Sequence, residues 1–261
     1  MDLSQFPPPA LAGRTEVEPL KDPVIISDLH LSPTKPKTIM AFVRFMKGEA
    51  LRHSELVILG DLFDFWLGDD AHPEEGPVLA LLRLHAASGR RVLIMPGNRD
   101  VVLGEGLTRS IGAELLHDPI IVDIKGRKVL LAHGDQWCLR DVPYQEFRKI
   151  THDPEWQRKM LARTVEERIE VVKEARTRSE TEKVEKSLEM MDVVERAVAY
   201  DVEKAGVDLV IHGHTHRPAA HILDNYERWV IPDWRIDGAE GAGRSGCITF
   251  LDSGRPQIQM F

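Results

Sequence analysis

The sequence predicts an α/β layered fold, and three observations predict it. Short apolar runs recur at PVIIS (23–27), ELVILG (55–60), RRVLIMPG (90–97), VLLAHG (129–134) and VDLVIHG (207–213). They are continuous rather than alternating, as expected of strands covered on both faces. Helical patterns lie between several of them, and strand–helix alternation is the mark of an α/β layered architecture.

Taken in order, the first 22 residues carry three consecutive prolines, Pro7 to Pro9, and predict an extended, flexible leader. That stretch has neither a basic n-region nor an apolar h-region, so it does not read as a signal peptide. The first run follows, then a helix in KTIMAFVRFMKGEALRH (37–53). After the second run comes PVLALLRLHAASG (77–89), with Gly89 as a helix cap. PIIVDIKGRKVLLAHG (119–134) reads as a hairpin turning at Lys125–Gly126. RWVIPDW (228–234) and GCITFLD (246–252) add strands, so the sheets are expected to be mixed.

One segment breaks the rhythm. From 144 to 206 there is only charged helical sequence, with opposite charges at helical spacing such as Glu166, Glu170, Lys173 and Glu174. It predicts a helical insert in a core formed by 23–143 and 207–261. Its position between two ligand-like motifs leaves two readings open, a solvated hairpin or a lid.

Composition narrows the function classes. The chain has 261 residues, 43% hydrophobic and 29% charged, enough for a substantial core. A formal net charge of -8 argues against a broad nucleic-acid or anionic-membrane surface. Only two cysteines occur, Cys138 and Cys247, without CxxC spacing, which argues against disulfides and a thiolate zinc site. A reducing, cytoplasmic setting is the simplest expectation. No run is long enough to predict a membrane-spanning helix.

The chemistry stands at the strand ends. The first run delivers Asp28 and His30, and period-two alternation predicts that both face the same way. The second ends in Gly60–Asp61, the third in Gly97–Asn98, the fourth in His133–Gly134, and the last in His214 and His216. Singly, a histidine here reads as a hydrogen-bonded core residue and an aspartate as a turn or cap. Five strand ends in succession, each with a metal-competent group, predict convergence beyond the carboxyl ends of the strands. Two Asp, one Asn and four His form an N/O donor set suited to Mn, Fe, Zn or Co. Seven donors exceed one four-coordinate site and suit two divalent ions sharing a carboxylate, a device for activating water and clamping a phosphoryl centre.

These motifs, D-x-H, G-D, G-N-x-[ED], H-G and G-H-x-H in order, resemble the calcineurin-like metallophosphoesterases. The resemblance implies a four-layer α/β/β/α sandwich. It implies one ion on Asp28, His30, Asp61 and His216, and a second on Asp61, Asn98, His133 and His214. The wider context, ISDLHLS, LGDLFDFWLGDD, GNRDVVLG, AHGDQWCLRD, YQEFR, KSLEMMDV and IHGHTHRP, is similar to the UDP-2,3-diacylglucosamine diphosphatase family of lipid A synthesis. For that family the implied reaction is attack of activated water on the α-phosphorus of UDP-2,3-diacylglucosamine, with Mn2+ as the usual metal. UMP and 2,3-diacylglucosamine 1-phosphate are the implied products.

The same resemblance implies catalytic roles for Asp61, Asn98, Arg99 and His30. It implies substrate contacts from Arg99, Asp141, Ser179, Lys183, Lys186 and His214, with Lys183 standing where asparagine is the family's usual residue. The implied setting is cytoplasmic, with peripheral contact at the inner membrane and no nucleic acid or obligate protein partner. The family's insert is strongly apolar and cradles acyl chains. Here it is charged, and its stripe of Trp156, Met160, Leu161, Val165, Ile169 and Val172 also fits core packing. VIPDW is a further departure from the family pattern. The alternatives are a metallophosphoesterase for another nucleotide or phosphodiester, and a metal-poor binding scaffold of the same fold.

Overall fold

In the computed structural model the described residues are 17–71, 76–185, 190–238 and 243–261. Two mixed sheets lie face to face. Sheet one has the order β11-β10-β1-β2-β3-β4. Its members are β1 (Pro23–Ile26), β2 (Glu55–Leu59), β3 (Arg91–Met95), β4 (Glu114–Leu115), β10 (Gly246–Phe250) and β11 (Pro256–Met260). Strands β1 to β4 run parallel, and β10 and β11 close the edge antiparallel. Sheet two has the order β5-β6-β7-β9-β8, from β5 (Ile120–Ile124), β6 (Arg127–Ala132), β7 (Leu209–His212), β8 (Ala219–Ile222) and β9 (Glu227–Val230).

Continuous apolar runs are needed because each central strand feeds two cores. In sheet one Ile25, Val57, Leu59, Leu93 and Met95 point inward. They meet Val129, Leu131, Leu209 and Ile211 of sheet two in a core where every one of these side chains is buried. The alternate residues Val24, Ile26, Leu56, Ile58, Val92 and Ile94 point outward against three helices. These are α1 (Pro36–Lys47), α2 (Pro77–Ala87) and α3 (Glu105–Ile111). On the far side Leu130, Ala132 and Val210 pack against Trp137 and against Val198 and Val202 of α7 (Glu195–Ala205). The layers are therefore α/β/β/α. Burying each Val, Leu or Ile stabilises by roughly 1.5–3 kcal/mol, so both faces of sheet one contribute to cohesion.

Local signals behave as expected. Gly89 adopts φ 85° directly after α2, and Lys125 and Gly126, both at positive φ, turn the β5–β6 hairpin. Leu20 is buried and bridges Ile124, so chain that the sequence assigns to a flexible leader is already packed before β1.

The charged stretch forms α4 (Val142–Thr151), α5 (Pro154–Leu161) and α6 (Val165–Glu185), followed by α7. Within the segment expected to be an insert, α7 supplies the fourth layer of the sandwich. Of the stripe, Met160 is buried and Trp156 packs against the outer core of sheet one, whereas Leu161 is exposed. Arg168, itself buried, binds α6 down through Asp70 and the Leu67 carbonyl. Arg176 reaches Asp64 at 2.9 Å.

Candidate metal centre

All seven predicted ligands meet at one end of the sandwich. Parallel β1, β2 and β3 of sheet one and parallel β6 and β7 of sheet two deliver them from their carboxyl ends. The pleat does not align Asp28 with His30. β1 stops at Ile26, and both residues are left-handed, at φ 55° and 48°. Asp61, His214 and His216 are left-handed too, and the remaining non-glycine residue with positive φ among those described is Lys125 of the hairpin turn. Such backbone costs roughly 1–3 kcal/mol per residue and persists where surrounding structure enforces it, characteristically at functional sites. Concentration of the strain here is a structural mark of function.

The adjacent glycines explain how side chains approach so closely. A Cβ on Gly60 would lie 2.3 Å from His133 Nδ1, and one on Gly97 would lie 2.3 Å from Asp61 Oδ1. Gly60 and Gly97 are thus cradles for His133 and Asp61, each delivered by another strand.

Asp61 sits between two imidazoles, with Oδ2 3.7 Å from His30 Nδ1 and Oδ1 3.7 Å from His133 Nε2. On one side His30 Nε2 and His216 Nε2 are 3.2 Å apart, and His216 Nε2 is 3.4 Å from Asp28 Oδ1. On the other, Asn98 Oδ1 lies 3.0 Å from both His133 Nε2 and His214 Nδ1. Asp28, His30 and His216 offer ligand atoms within 4.8 Å of one another, and so do Asp28, Asp61 and His133.

The residues fit a divalent cation. Asp28 Oδ1 and His30 Nδ1 are buried without a hydrogen-bond partner among the described residues, a costly state unless another group engages them. Burial, reinforced by the charges of Asp100 and Asp28, pushes the Asp61 carboxyl up to about 7. Burial opposes charge on His133, yet the carboxylates of Asp61, Asp28, Asp135 and Asp118 push its pKa up to about 9. Burial also holds His30 well below its ordinary value and, with the charge on His133, takes His214 down to about 3. The chain thus collects buried carboxylates with imidazoles, those of His30 and His214 held neutral by burial, and no thiolate, a donor set for a borderline divalent ion.

A second layer of groups orients the first. The His133 Nδ1–H donates to the Leu59 carbonyl at 3.0 Å, which leaves Nε2 facing Asp61. Asp100 accepts from the backbone N–H of Gly97, Asp61 and Phe63, tying two motif loops together. Asp118 accepts from the His133 N–H. Buried Asp135 accepts from the Tyr144 hydroxyl at 2.5 Å and from Arg148 Nε at 2.9 Å, and the Tyr144 ring lies over His214 with centroids 5.6 Å apart. Asp233 Oδ2 stands 3.6 Å from His216 Nδ1 and Asp233 is paired with Arg244.

Most of these residues lie inside the conspicuous motifs, where the sequence by itself assigns them no role. Asp100 was legible as the last letter of G-N-x-D. Asp233 is the acid of the departing VIPDW and now has one, behind His216. Nothing in the sequence signals Asp118.

Of the expected substrate residues, Arg99 is half-buried beside Asn98 and its N–H donates to Asp61 Oδ1 at 2.8 Å. Asp141 caps α4 by accepting from the Tyr144 N–H. The expectations for the side chains of Ser179 and Lys183, on α6, and for Lys186 lie outside the described residues.

Strand-end carboxylates and imidazoles converging on one rim of an α/β/β/α sandwich define a divalent-metal phosphoesterase. The calcineurin-like phosphoesterase family model matches residues 23–218, and the chain belongs to that family. Among its relatives, the protein named UDP-2,3-diacylglucosamine hydrolase of Bordetella pertussis is 41% identical over 223 residues, covering 83% of this chain and 86% of its own. The protein of that name from Aromatoleum aromaticum is 42% identical over 236 residues, with 87% and 96% covered. That from Haemophilus influenzae (strain PittGG) is 39% identical over 220 residues, with 83% and 92% covered.

Proposed function

We propose that the protein hydrolyses the pyrophosphate bond of UDP-2,3-diacylglucosamine at the α-phosphorus, giving UMP and 2,3-diacylglucosamine 1-phosphate, in lipid A biosynthesis. The observation that carries this reading is an apolar cavity of about 270 Å³ lined by residues that follow two of the candidate metal ligands in the chain. Its lining includes Leu31, next to His30, and Phe63, two residues beyond Asp61, together with Ile39, Phe65, Trp66 and Val78. A water-soluble phosphodiester has no use for such walls, whereas a diacylated sugar phosphate does. The names of the relatives support the same substrate.

Two ions, Mn2+ in this reading, would be held by Asp28, His30, Asp61 and His216, and by Asp61, Asn98, His133 and His214. The position of Asp61 between His30 and His133 supports its sharing. When bound, divalent ions supply Lewis acidity to the phosphoryl oxygens and lower the pKa of water. The chain's own side chains do the rest. Asp100 and the Leu59 carbonyl hold Asp61 and His133 in place. The Arg99 guanidinium, beside Asn98, offers a fork of donors to a phosphate. Asp141, Ser179, Lys183, Lys186 and His214 bind the sugar phosphate, and His30 assists proton movement. Charge supplied locally by metal explains how a chain of net charge -8 admits an anion.

Among the described residues no helix is long and apolar enough to cross a membrane. A cytoplasmic enzyme touching the inner membrane peripherally fits the exposed Val142, Phe147 and Ile150 of α4. The test is product analysis with UDP-2,3-diacylglucosamine and Mn2+ in H₂¹⁸O, beside a generic aryl phosphodiester. Label in UMP, at a rate far above that of the ester, is the expected result. Cleavage of the ester alone rejects the substrate and keeps the phosphoesterase.

A further inference from the structure

A second cavity, of about 490 Å³, borders the metal centre at the end of sheet two, and its character is opposite to the first. His216 forms part of its wall, so it opens directly onto the ligand cluster. Three guanidinium groups line it, from Arg217, Arg228 and Arg244, against the single carboxylate of Asp192. Arg217 is paired with Asp192, Arg228 with Glu195 and Arg244 with Asp233. Glu195 and Asp233 are not among the lining residues, so the lining carries three arginines against one carboxylate.

Two polar atoms of the lining residues are buried without a hydrogen-bond partner among the described residues, Thr215 Oγ1 and Arg244 Nε. A buried hydroxyl or guanidinium N–H left unpaired is costly, so such groups mark a place where a polar partner is accommodated. The floor is apolar. Ala219 of β8 and Val230 of β9 are direct cross-strand partners, and directly opposite residues share a face. His221 adds an imidazole at the rim. A volume of this size lies within the range of small-molecule sites.

We propose that this cavity is the subsite for the nucleoside monophosphate half of the substrate, with the acylated half lying in the apolar cavity beside Leu31 and Phe63. The inference rests on the substrate reading above. A pyrophosphate between a nucleotide and a lipid must present unlike groups on either side of the reacting phosphorus, and the two cavities are unlike in the same sense. Guanidinium groups meet phosphate and ribose oxygens, the Thr215 hydroxyl meets a donor or acceptor of the nucleotide, and the Ala219–Val230 floor takes one face of the base.

The experiment is calorimetric titration of UMP, and separately of 2,3-diacylglucosamine 1-phosphate, into the Mn2+-loaded full-length protein and its variants. Arg217→Gln removes a cation of the wall, and Thr215→Val removes the hydroxyl while keeping the shape. Thermal melting of each variant shows that it is folded. Arg217→Gln is expected to weaken UMP binding at least about ten-fold, the scale of one charge-assisted hydrogen bond, with a smaller loss for Thr215→Val. Affinity for the lipid product should stay within two-fold, on the same approximate scale. UMP affinity unchanged in both variants, in a protein that does cleave UDP-2,3-diacylglucosamine, overturns the subsite and leaves the substrate reading standing. Weakened lipid-product binding with unchanged UMP binding overturns it too, by reversing the substrate. Failure of the unaltered protein to cleave that substrate overturns both.

Discussion

His133 and His216 belong to one cluster of metal-competent side chains, yet their surroundings differ at every level. The His133 side chain is 0% exposed and that of His216 is 41% exposed. Around His133 and His214 stand Asp118, Asp135, Tyr144 and Arg148, a buried network anchored by α4. Behind His216 stands Asp233, braced by Arg244, and in front of it the cavity at the end of sheet two. One half of the site is a sealed, braced wall, and the other is an entrance. A centre that must hold metal firmly and still admit a bulky anion needs both.

Asp61 belongs to both halves, so its loss should be the most severe change. Asp61→Ala is expected to lower kcat/KM by on the order of 10³-fold or more, equivalent to about 4 kcal/mol. Bound metal should fall with it, as read by elemental analysis. Turnover near that of the unaltered protein would show that the halves do not share this carboxylate.

Removing metal tests the electrostatics of the sealed half. With metal stripped by a chelator, His133 at about 9 lies above its ordinary 6.5, and Asp61 at about 7 lies above its ordinary 3.8. Groups with raised folded-state pKa contribute stability that is present at low pH and lost as pH rises through the folded value. The metal-free protein should therefore melt at progressively lower temperature from pH about 6.5 to about 9, above the range in which the buried histidines of lowered pKa, such as His214, gain stability with rising pH. Metal affinity should rise over the same range, because the ligands must shed protons to bind. A metal-free melting temperature that climbs between pH about 6.5 and about 9 contradicts the assignment.

Asp233→Ala sharpens the comparison on the open side. Losing a group that orients a ligand costs 10–100-fold in metal affinity or activity, and the expected effect falls in that range with little change in folding stability. Tyr144→Phe does the converse on the sealed side. It removes a hydrogen bond to buried Asp135 and should cost about 1–3 kcal/mol in denaturant unfolding, with a smaller effect on metal affinity. Equal stability losses in the two variants would erase the distinction between entrance and wall.

His85 provides a control away from both halves. Burial, with a smaller effect of the Arg90 charge, takes its pKa down to about 4, and neither ring nitrogen has a partner among the described residues. A neutral buried imidazole contributes stability that is full above about 6.5 and lost as pH falls toward about 4. His85→Leu should flatten the acid limb of the stability profile over that window, by at most a few kcal/mol, roughly, without changing metal affinity. An unchanged acid limb would show that His85 is not the group responsible.

The order of the motifs was readable because each ligand is local to a strand end. An apolar run, a glycine and a donor are neighbours in sequence, and parallel strands must all deliver their carboxyl ends to the same rim. Division of each run between two cores was readable for the same reason, since a strand covered on both faces has no polar side to show. Tertiary structure alone decided the rest. Asp28 and His30 are aligned by two left-handed residues rather than by a continuing pleat, a conformation set by packing against Gly213 and the Asp61 loop. Asp118 and Asp233 acquire roles only when distant segments place them behind histidines. The placing of α7 as the fourth layer depends on which apolar face of sheet two needs cover, a property of the assembled sheet that no single segment carries.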